Sequence, residues 1–444
     1  MPEIEFVNHA SVLIREGGTA LLTDPWYSGP AFHKGWRLLH ETPEPEIEAL
    51  LHRVTHIWIS HEHPDHFSIG FFKRWGPLLK ERGIAFLFQK IADQRVADFL
   101  RGQGLPLTEL AFGTEHALPD MSVTCLKDEF YDSLLSVRAG GRHILNLNDC
   151  NIGTEERARE VRDAVGTCDI LLTQFSYAAW KGGRENRAWR EEAAQEKLAN
   201  IRVQTEILEP GLVIPFASFV SFAHERNHYL NDAANRPEDV VAAFEGAPFA
   251  VQVMKPGDVT NGTPDRAASD AAIAWWAEVY ARDVPLMTYE TKSEDALRAA
   301  FSGWVDRVGR NNSRPSMRLA QVLSPIRVFQ PIAIRLDDTG TTWRVDPARG
   351  TLETTEAAPD LVMHSESLWF LFSNSFGFDT LTVNGTLEED APGGFSRAAR
   401  SLAIENLNNL GIRFGPGLVF EPAVIGAFLE RLAKVRRKMG RGSA

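Results

Sequence analysis

The segment "ISHEHPDH" carries three histidines and an aspartate directly behind an apolar run. His61 and His63 are two residues apart, so an extended backbone would point both imidazoles to the same side. Pro64 then turns the chain and lets Asp65 and His66 return from the following loop. This pattern suits two adjacent metal ions, one held by His61 and His63 and the other by Asp65 and His66. The alternative is a surface cluster whose polar side chains are hydrogen-bonded without a metal. The position directly behind a buried strand disfavours that alternative.

Composition narrows the classes of protein that could carry such a site. The chain has 444 residues and 44% hydrophobic content, which predicts about two to three domains with a large core. The net charge of -12 would repel phosphate backbones and anionic membrane surfaces, so neither nucleic acid nor a membrane is an expected partner. The cysteines Cys125, Cys150 and Cys168 form no C-x-x-C pair. Any metal must therefore be held by histidine and carboxylate.

The N-terminal residues lack a basic region followed by an apolar segment, and no apolar run approaches about eighteen residues. These features predict a cytoplasmic protein with no membrane span.

Strands and helices alternate in the first part of the chain. Residues 16–19 and 139–142 predict hairpin turns, and residues 55–60 predict a buried strand that ends at the histidine cluster. "IGFFKRWGPLLKERG" has helical spacing and precedes the strand "IAFLFQ". This alternation predicts an α/β fold with helices on the outer faces of a sheet.

The pattern changes after about residue 260. Two Ala-rich amphipathic helices are followed by strands from Val322 and by a helical tail. We therefore predict a catalytic domain at residues 1–262 and an α+β region at residues 263–444 that packs on it and could contribute to the substrate pocket. The basic residues 431–444 are interpreted as a solvated helix end, with a binding role as the alternative.

His61, His63, Asp65 and His66 together resemble the H-x-H-x-D-H signature of the metallo-β-lactamase superfamily. That resemblance implies an αββα sandwich with a dinuclear metal site at one edge.

Further segments resemble other parts of this superfamily. "LLTDPW" resembles the segment that carries a supporting aspartate, here Asp24, and "HILNLNDC" resembles the strand that ends in a bridging aspartate, here Asp149. A last histidine is expected after a later strand. "VIPFASFVSFAHERNHYLND" supplies His224, with His228 as the runner-up.

One position departs from the hydrolases of the superfamily, which carry a histidine about twenty residues before the bridging aspartate. No histidine occurs at residues 117–142, and Glu129 stands at that position. Asp132 is a competing candidate, nearer the strand that begins at Ser133. A hard, anionic oxygen donor in place of imidazole stabilises Fe(III) against Fe(II), so it favours iron and O₂ reduction.

Two groups of hydroxylases resemble the chain more closely. "HILNLNDC", "PFASF" and "MKPGDVTNG" are similar to segments in the non-Rieske part of CMP-N-acetylneuraminate hydroxylases. The carboxylate in place of histidine resembles the diiron hydroxylases of chloramphenicol and platensimycin-type biosynthesis. These resemblances imply hydroxylation of an unactivated C–H bond in a small-molecule or acyl-type substrate, free or tethered to CoA or a carrier, in natural-product metabolism. Because this chain has no C-x-H pairs for a Rieske cluster, a separate ferredoxin or reductase would supply electrons.

The leading hypothesis is thus a diiron monooxygenase with O₂ as co-substrate, in which Asp149 and Glu129 are the catalytic residues. The predicted iron ligands are His61, His63, Asp65, His66, Glu129, Asp149 and His224. The alternative is a hydrolase with two zinc or manganese ions that acts on a phosphodiester, lactone or thioester. An inactive metal-binding scaffold is a third, weakly supported reading.

One further histidine and three further segments each have two interpretations. For His9, a core or supporting role is preferred over ligation. The aromatic segment 26–36 either packs in the core or lines a substrate pocket. Residues 178–190 form a solvated loop or an anion-binding lid. Residues 359–388 pack on the first domain or present an apolar surface to substrate.

Overall fold

The computed structural model describes residues 1–128, 131–324, 326–409 and 411–415. The chain divides into two compact units. The first comprises Met1–Thr288 and Val383–Gly385, and the second comprises Tyr289–Thr382 and the described residues from Thr386 onward. Residues 263–288, which lie beyond the predicted catalytic domain, are part of the first unit.

Short strands and helices make up most of the described chain. In chain order the strands are β1 (Glu3–Asn8), β2 (Ser11–Glu16), β3 (Thr19–Thr23), β4 (Trp36–Leu38), β5 (His56–Ile59), β6 (Ala85–Gln89), β7 (Leu107–Leu110), β8 (Glu115–Ala117), β9 (Met121–Lys127), β10 (Ser133–Ala139), β11 (Arg142–Asn148), β12 (Ile170–Gln174), β13 (Leu212–Phe216), β14 (Val220–Phe222), β15 (Ala250–Val251), β16 (Val259–Thr260), β17 (Ile332–Leu336), β18 (Thr342–Asp346), β19 (Thr351–Thr354), β20 (Leu361–Met363) and β21 (Leu387–Glu389). The α-helices are α1 (Glu44–Leu51), α2 (Ile69–Glu81), α3 (Arg95–Gly102), α4 (Glu155–Val165), α5 (Arg187–Leu208), α6 (Pro237–Ala243), α7 (Arg266–Tyr280), α8 (Glu294–Asn311), α9 (Arg314–Leu323), α10 (Ser365–Ser373), α11 (Gly377–Asn384), α12 (Gly394–Leu402) and α13 (Ile404–Asn409), and a 3₁₀ helix covers His228–Ala233.

The first unit contains two large mixed sheets of matching construction. The first has the order β16-β1-β2-β3-β5-β6-β7, antiparallel as far as β3 and parallel from β3 to β7. The second has the order β15-β13-β12-β11-β10-β9-β8, parallel as far as β11 and antiparallel from β11 to β8. The carboxyl ends of the parallel strands in each sheet therefore collect at one edge.

Both predicted hairpins are confirmed. Glu16 pairs with Thr19 between β2 and β3, and Ala139 pairs with Arg142 between β10 and β11. In the second turn both central residues are glycines with positive φ, as a type I′ hairpin turn requires.

Side chains on the first sheet alternate between two apolar layers. Ile57 and Ile59 of β5 pack with residues of α1, α2 and α3, whereas Trp58 belongs to the layer between the two sheets. That inner layer is continuous with residues of α4 and α5 on the far side of the second sheet. The predicted αββα sandwich is confirmed. Trp276 of α7 stacks on Phe219, at a ring-centroid distance of 4.2 Å, which ties α7 to the first unit.

A separate two-stranded sheet joins two segments that are distant in sequence. Strand β4 pairs with β14, with Trp36 opposite Phe222. The pairing brings the aromatic segment after β3 beside the chain that leads to His224.

The second unit has α+β architecture, as predicted for the C-terminal region. Its five-stranded sheet has the order β19-β18-β17-β20-β21. On α8, Phe301 and Trp304 pack against Phe372 of α10. The basic segment 431–444 lies outside the described residues. None of the helices in the described ranges combines the length and apolar character that crossing a bilayer requires.

Candidate metal centre

The candidate ligands lie where the carboxyl ends of parallel strands meet. His61 closely follows β5, and Asp24 directly follows the neighbouring strand β3. Asp149 directly follows β11 in the opposite sheet. The two sheets therefore deliver chemically active side chains to the same edge of the sandwich, the usual location of sites in open α/β sheets.

Asp24 organises the histidines beneath this edge. It is buried and accepts hydrogen bonds from Ser60 N and Ser60 Oγ, both at 2.8 Å, and from Asn148 Nδ2 at 3.2 Å. Its Oδ2 also lies 3.0 Å from His66 Nδ1, while Ser60 Oγ lies 2.9 Å from His61 Nδ1. Both rings are thereby held with Nε2 directed away from Asp24, which is the supporting arrangement typical of metal-bound histidines.

Three overlapping groups of candidate ligands form at this edge in the described part of the chain. In each group one donor atom per residue lies within 4.8 Å of the others, and each group contains two imidazoles and one carboxylate. The groups are His61, His63 and Asp132; His61, His66 and Asp149; and His9, Asp65 and His66. The middle group shares a histidine with each of the others, so Asp149 lies between the two outer groups.

The separations within the cluster are short. His66 Nε2 lies 3.3 Å from Asp149 Oδ2 and 3.4 Å from Asp65 Oδ2. His61 Nε2 lies 2.9 Å from His63 Nδ1. The structure therefore brings together five of the seven ligands predicted from the sequence.

The structure describes one of the two carboxylates that the sequence offered before β10. Glu129 itself lies outside them. Asp132, the competing candidate, places its Oδ1 3.6 Å from His61 Nε2 and completes the group with His63. A carboxylate is thus present beside the first pair of histidines.

His224 is not a member of any of these three groups in the described part of the chain. It is buried after β14, its main-chain N–H donates to Asn227 Oδ1 at 2.9 Å, and its Nδ1 accepts from Arg226 N at 3.2 Å. Among the described residues it joins none of the three ligand groups, whereas His9, for which a supporting role was preferred, joins one. The runner-up His228 is exposed at the start of the 3₁₀ helix.

The two shared histidines have opposite electrostatic environments. Burial lowers the pKa of His66, but the charges of Asp65 and Asp149 outweigh it and hold that pKa well above its usual value. Burial also lowers the pKa of His61, and the positive charges of His66 and His63 lower it further. In the metal-free chain the protonated imidazole of His66 therefore sits among carboxylates, a location that a metal cation would also favour.

The carboxylates respond to burial in different ways. Burial raises the pKa of Asp132 to about 7, and the charge of Asp149 adds to this effect while His63 opposes it. For Asp65, the charge of His66 outweighs burial, so its pKa lies well below the usual value. The cluster therefore combines ionised and readily protonated carboxyl groups at one edge.

Several donor atoms in the cluster have no hydrogen bond among the described residues although they are buried. They include Asp65 Oδ1, His66 Nε2 and both ring nitrogens of His9. Buried polar atoms are normally satisfied, because leaving one without a partner costs about 1–3 kcal/mol. A donor set of imidazoles and carboxylates around such atoms fits a metal centre.

Aromatic side chains cover one side of the cluster. Phe32 lies 5.6 Å from the His63 ring and 4.7 Å from the Trp36 ring, and Trp26 lies 5.6 Å from His9, all between ring centroids. All three are buried. The aromatic segment thus packs directly against the candidate ligands.

A lysine on α5 lies on another side. Lys197 is half-buried one helical turn before Asn200, whose Nδ2 donates to Asn151 Oδ1 at 3.3 Å, two residues beyond Asp149. Burial lowers the pKa of Lys197, while the charge of Asp149 opposes this and that of Lys181 adds to it. No hydrogen bond of Lys197 occurs within the described ranges.

The segment 178–190 is anchored by a buried arginine. Arg190 is 0% exposed and donates to both Asp232 carboxylate oxygens, at 2.7 and 2.8 Å, and to Gly183 O at 2.7 Å. The segment is therefore anchored at Gly183 and Arg190, while residues 184–189 between them are exposed. Its Lys181 is half-buried near Lys197.

Several supporting residues were not predicted from the sequence, although two of them occupy positions that could have indicated their role. Gln174 donates to Asp149 Oδ1 at 3.2 Å, and Asn148 donates to Asp24. Both are polar residues at the carboxyl end of a buried parallel strand, where polar side chains commonly reach a site. No comparable sequence feature predicts the position of Lys197, because its helix α5 is distant from the ligands along the chain.

Residues 3–112 match the family model described as a beta-lactamase superfamily domain. The predicted resemblance to the metallo-β-lactamase superfamily is thereby confirmed for this segment, which contains β1 to β7 and the H-x-H-x-D-H pattern.

Similar proteins include hydroxylases. The cytidine monophosphate-N-acetylneuraminic acid hydroxylase of Danio rerio is 28% identical over 246 residues, covering 52% of this chain and 40% of that protein. The hydroxylase of the same name from Cricetulus griseus is 29% identical over 246 residues, covering 52% and 42%. The chain thus spans about two fifths of the length of these relatives. Among solved structures, CmlA, a diiron beta-hydroxylase from Streptomyces venezuelae, is similar with a TM-score of 0.41 and 16% identity, covering 58% of this chain and 54% of that chain.

Proposed function

We propose that this protein is a nonheme diiron, O₂-dependent monooxygenase that hydroxylates an unactivated C–H bond of a small-molecule or acyl-type substrate. The observation that carries the proposal is the carboxylate of Asp132 beside His61 and His63. Two histidines and one carboxylate with open positions are the ligand set of nonheme iron oxygenases, whereas zinc hydrolases of this superfamily have a third imidazole. The similarity to named hydroxylases over 246 residues supports the same reaction class.

The metal ions would supply the redox chemistry. When bound, two iron ions allow O₂ to be reduced so that one oxygen atom enters the C–H bond and the other leaves as water, with two electrons and two protons supplied from outside. A separate ferredoxin or reductase is the proposed electron donor, and a cytoplasmic location fits such a partner.

The chain's own residues would position the ligands and exclude water. Asp24 and Ser60 fix the orientation of His61 and His66, so little rearrangement is needed when a metal binds. Phe32 packs against His63 and forms part of an apolar wall. Such a wall limits solvent access and protects a reactive centre from side reactions.

Lys197 and Lys181 indicate the kind of substrate. Their ammonium groups interact electrostatically with each other near Asp149, and a carboxylate or phosphate would relieve that repulsion. We therefore propose a substrate with an anionic group, such as a free acid or an acyl group tethered through a phosphate ester to CoA or a carrier. Cytidine monophosphate-N-acetylneuraminic acid, which the relatives' name contains, is a suitable first probe.

The experiment measures O₂ consumption by chain that has been loaded anaerobically with ferrous iron. With a chemical reductant, wild-type chain should consume O₂ faster than the same concentration of free iron. Asp132→His should bind zinc in preference to iron and lose this O₂ consumption. The zinc or manganese hydrolase is the competing outcome. Hydrolysis of bis(p-nitrophenyl) phosphate by zinc-loaded chain without O₂ or reductant, together with no O₂ consumption by iron-loaded chain, would overturn the proposal.

A further inference from the structure

His9 has an unusual backbone conformation for a residue other than glycine. Its φ is +32°, and such conformations generally cost about 1 kcal/mol or more. Asn8 holds it there, because Asn8 Oδ1 accepts from His9 N at 2.9 Å while Asn8 Nδ2 donates to His40 O at 2.8 Å. Ala217 N also donates to His9 O at 2.9 Å. The surrounding chain therefore fixes the direction of the His9 side chain.

The ring of His9 is buried without a hydrogen bond. The residue is 2% exposed, and neither Nδ1 nor Nε2 makes a hydrogen bond among the described residues. Nε2 lies 3.5 Å from Asp65 Oδ2, and the ring centroid lies 5.8 Å from that of His66. A strained and unsatisfied imidazole aimed at two candidate ligands is costly unless a further partner binds it.

A metal ion is the partner that fits this arrangement. Donor atoms at about 2.0–2.2 Å from one ion are no more than about 4.4 Å apart, close to the 4.8 Å span of the group that contains His9, Asp65 and His66. This group has the same composition as the group of His61, His63 and Asp132. The two outer groups would then form matching sets of two histidines and one carboxylate on either side of Asp149.

We propose that His9 binds the second metal ion directly, together with Asp65 and His66. The inference rests on the proposed dinuclear centre, but it is independent of the reaction that the centre catalyses. It therefore holds for zinc as well as for iron, and zinc loading tests it without reference to activity.

The first experiment compares zinc binding by wild-type chain and by His9→Asn. Asparagine tolerates positive φ, and no hydrogen bond of the His9 ring within the described residues is lost, so the variant should fold. We expect the affinity for the second zinc ion to fall at least about 100-fold while the first ion still binds. Unchanged affinity for both ions would overturn the proposal.

His143→Asn is the matched control. His143 is also buried in the first unit, but its Nε2 lies 2.7 Å from Ser136 Oγ and its Nδ1 lies 2.6 Å from Thr167 O. This variant should destabilise the metal-free chain and still bind two zinc ions. If His9→Asn loses the second zinc ion while its metal-free form is destabilised less than that of His143→Asn, the loss of zinc comes from a missing ligand and not from general damage to the core.

A crystal structure of the zinc-loaded wild-type chain distinguishes ligation from a supporting role. We expect a Zn–Nε2 distance of about 2.1 Å at His9. A second zinc ion bound with His9 more than about 3 Å away and hydrogen-bonded to Asp65 would overturn the proposal and leave the dinuclear centre intact. Failure of the proposed function would instead appear as zinc-bound His9 in a chain that shows no iron-dependent O₂ consumption.

Discussion

His66 Nδ1 lies 3.0 Å from Asp24 Oδ2, and both side chains are completely buried. This contact leaves Nε2 of His66 facing Asp65 and Asp149. Burial raises the pKa of Asp24, although the hydrogen bonds and charge of His66 and the hydrogen bonds from Ser60 oppose that effect. The pair therefore sets the direction of the most central histidine in the cluster.

Replacing Asp24 should weaken metal binding without removing a ligand. In Asp24→Asn, Oδ1 can still accept from Ser60 N, but an amide N–H₂ in the place of Oδ2 cannot accept from His66. We expect metal affinity to fall about 10- to 100-fold, the usual effect of losing such a support. Calorimetric titration of metal-free chain with zinc measures this change.

Asp120→Asn is its control. Asp120 accepts hydrogen bonds from Gly18 N and Thr19 Oγ1 at the hairpin between β2 and β3. Metal affinity should be unchanged in this variant. An equal loss of affinity in both variants would contradict a specific role for Asp24.

The identity of the carboxylate beside His61 and His63 can be resolved by two substitutions. Asp132→Asn should reduce the metal content of the loaded chain from two ions towards one, because it removes the anionic donor that the structure places in this group. Glu129→Gln is the comparison, and it should leave the metal content unchanged. Metal analysis after gel filtration measures both. Loss of metal in Glu129→Gln alone would contradict this assignment and identify Glu129 as the ligand.

Asp132 should also make the metal-free chain less stable as pH rises. Its pKa is raised by burial to about 7 from a usual value of 3.8, so between these values the folded chain holds a proton that the unfolded chain has released. The associated stability is fully present below about pH 4 and is lost as pH rises through about 7. Urea unfolding of wild type and Asp132→Asn measures the effect. The free energy of unfolding of wild type minus that of the variant should fall between about pH 4 and 7. A difference that is constant or rises with pH would contradict a raised pKa of Asp132.

The hydrogen bonds that Arg190 donates to Asp232 and Gly183 should contribute to the free energy of unfolding rather than to metal binding. Arg190→Ala removes hydrogen bonds to Asp232 and Gly183 and leaves the partly exposed Asp232 without its cation. We expect the free energy of unfolding to fall by about 3 kcal/mol, with two metal ions still bound. Arg187→Ala, which breaks an exposed pair with Glu191 on the same helix, should have no measurable effect. Equal urea midpoints for wild type and Arg190→Ala would show that Arg190 does not stabilise the fold.

The sequence predicted those features that depend on local spacing. The positions of His61 and His63 at the end of a strand follow from the apolar run before them, and two hairpins follow from their glycine pairs. Side-chain direction in the loops could not be predicted in this way. Glu129 and Asp132 are three residues apart before β10, and spacing alone does not show which one faces His61.

His224 illustrates a second limit. Its position after a strand matches the expected order along the chain, but spacing does not show where its ring points. In the structure its Nδ1 accepts from Arg226 N, and its main-chain N–H donates to Asn227 Oδ1. His9 reaches the cluster because β1 ends at the same edge as β5, a consequence of tertiary pairing between strands. Similarly, Lys197 approaches Asp149 only because α5 packs on the second sheet.

The central claim is that the cluster around Asp149 holds two iron ions, and Mössbauer spectroscopy tests it most directly. Chain loaded anaerobically with ⁵⁷Fe(II) and then oxidised with O₂ should contain two iron ions and give the quadrupole doublet of a spin-coupled diferric pair. A single uncoupled ferric site, or a chain that excludes iron and retains two zinc ions under the same conditions, would contradict the account.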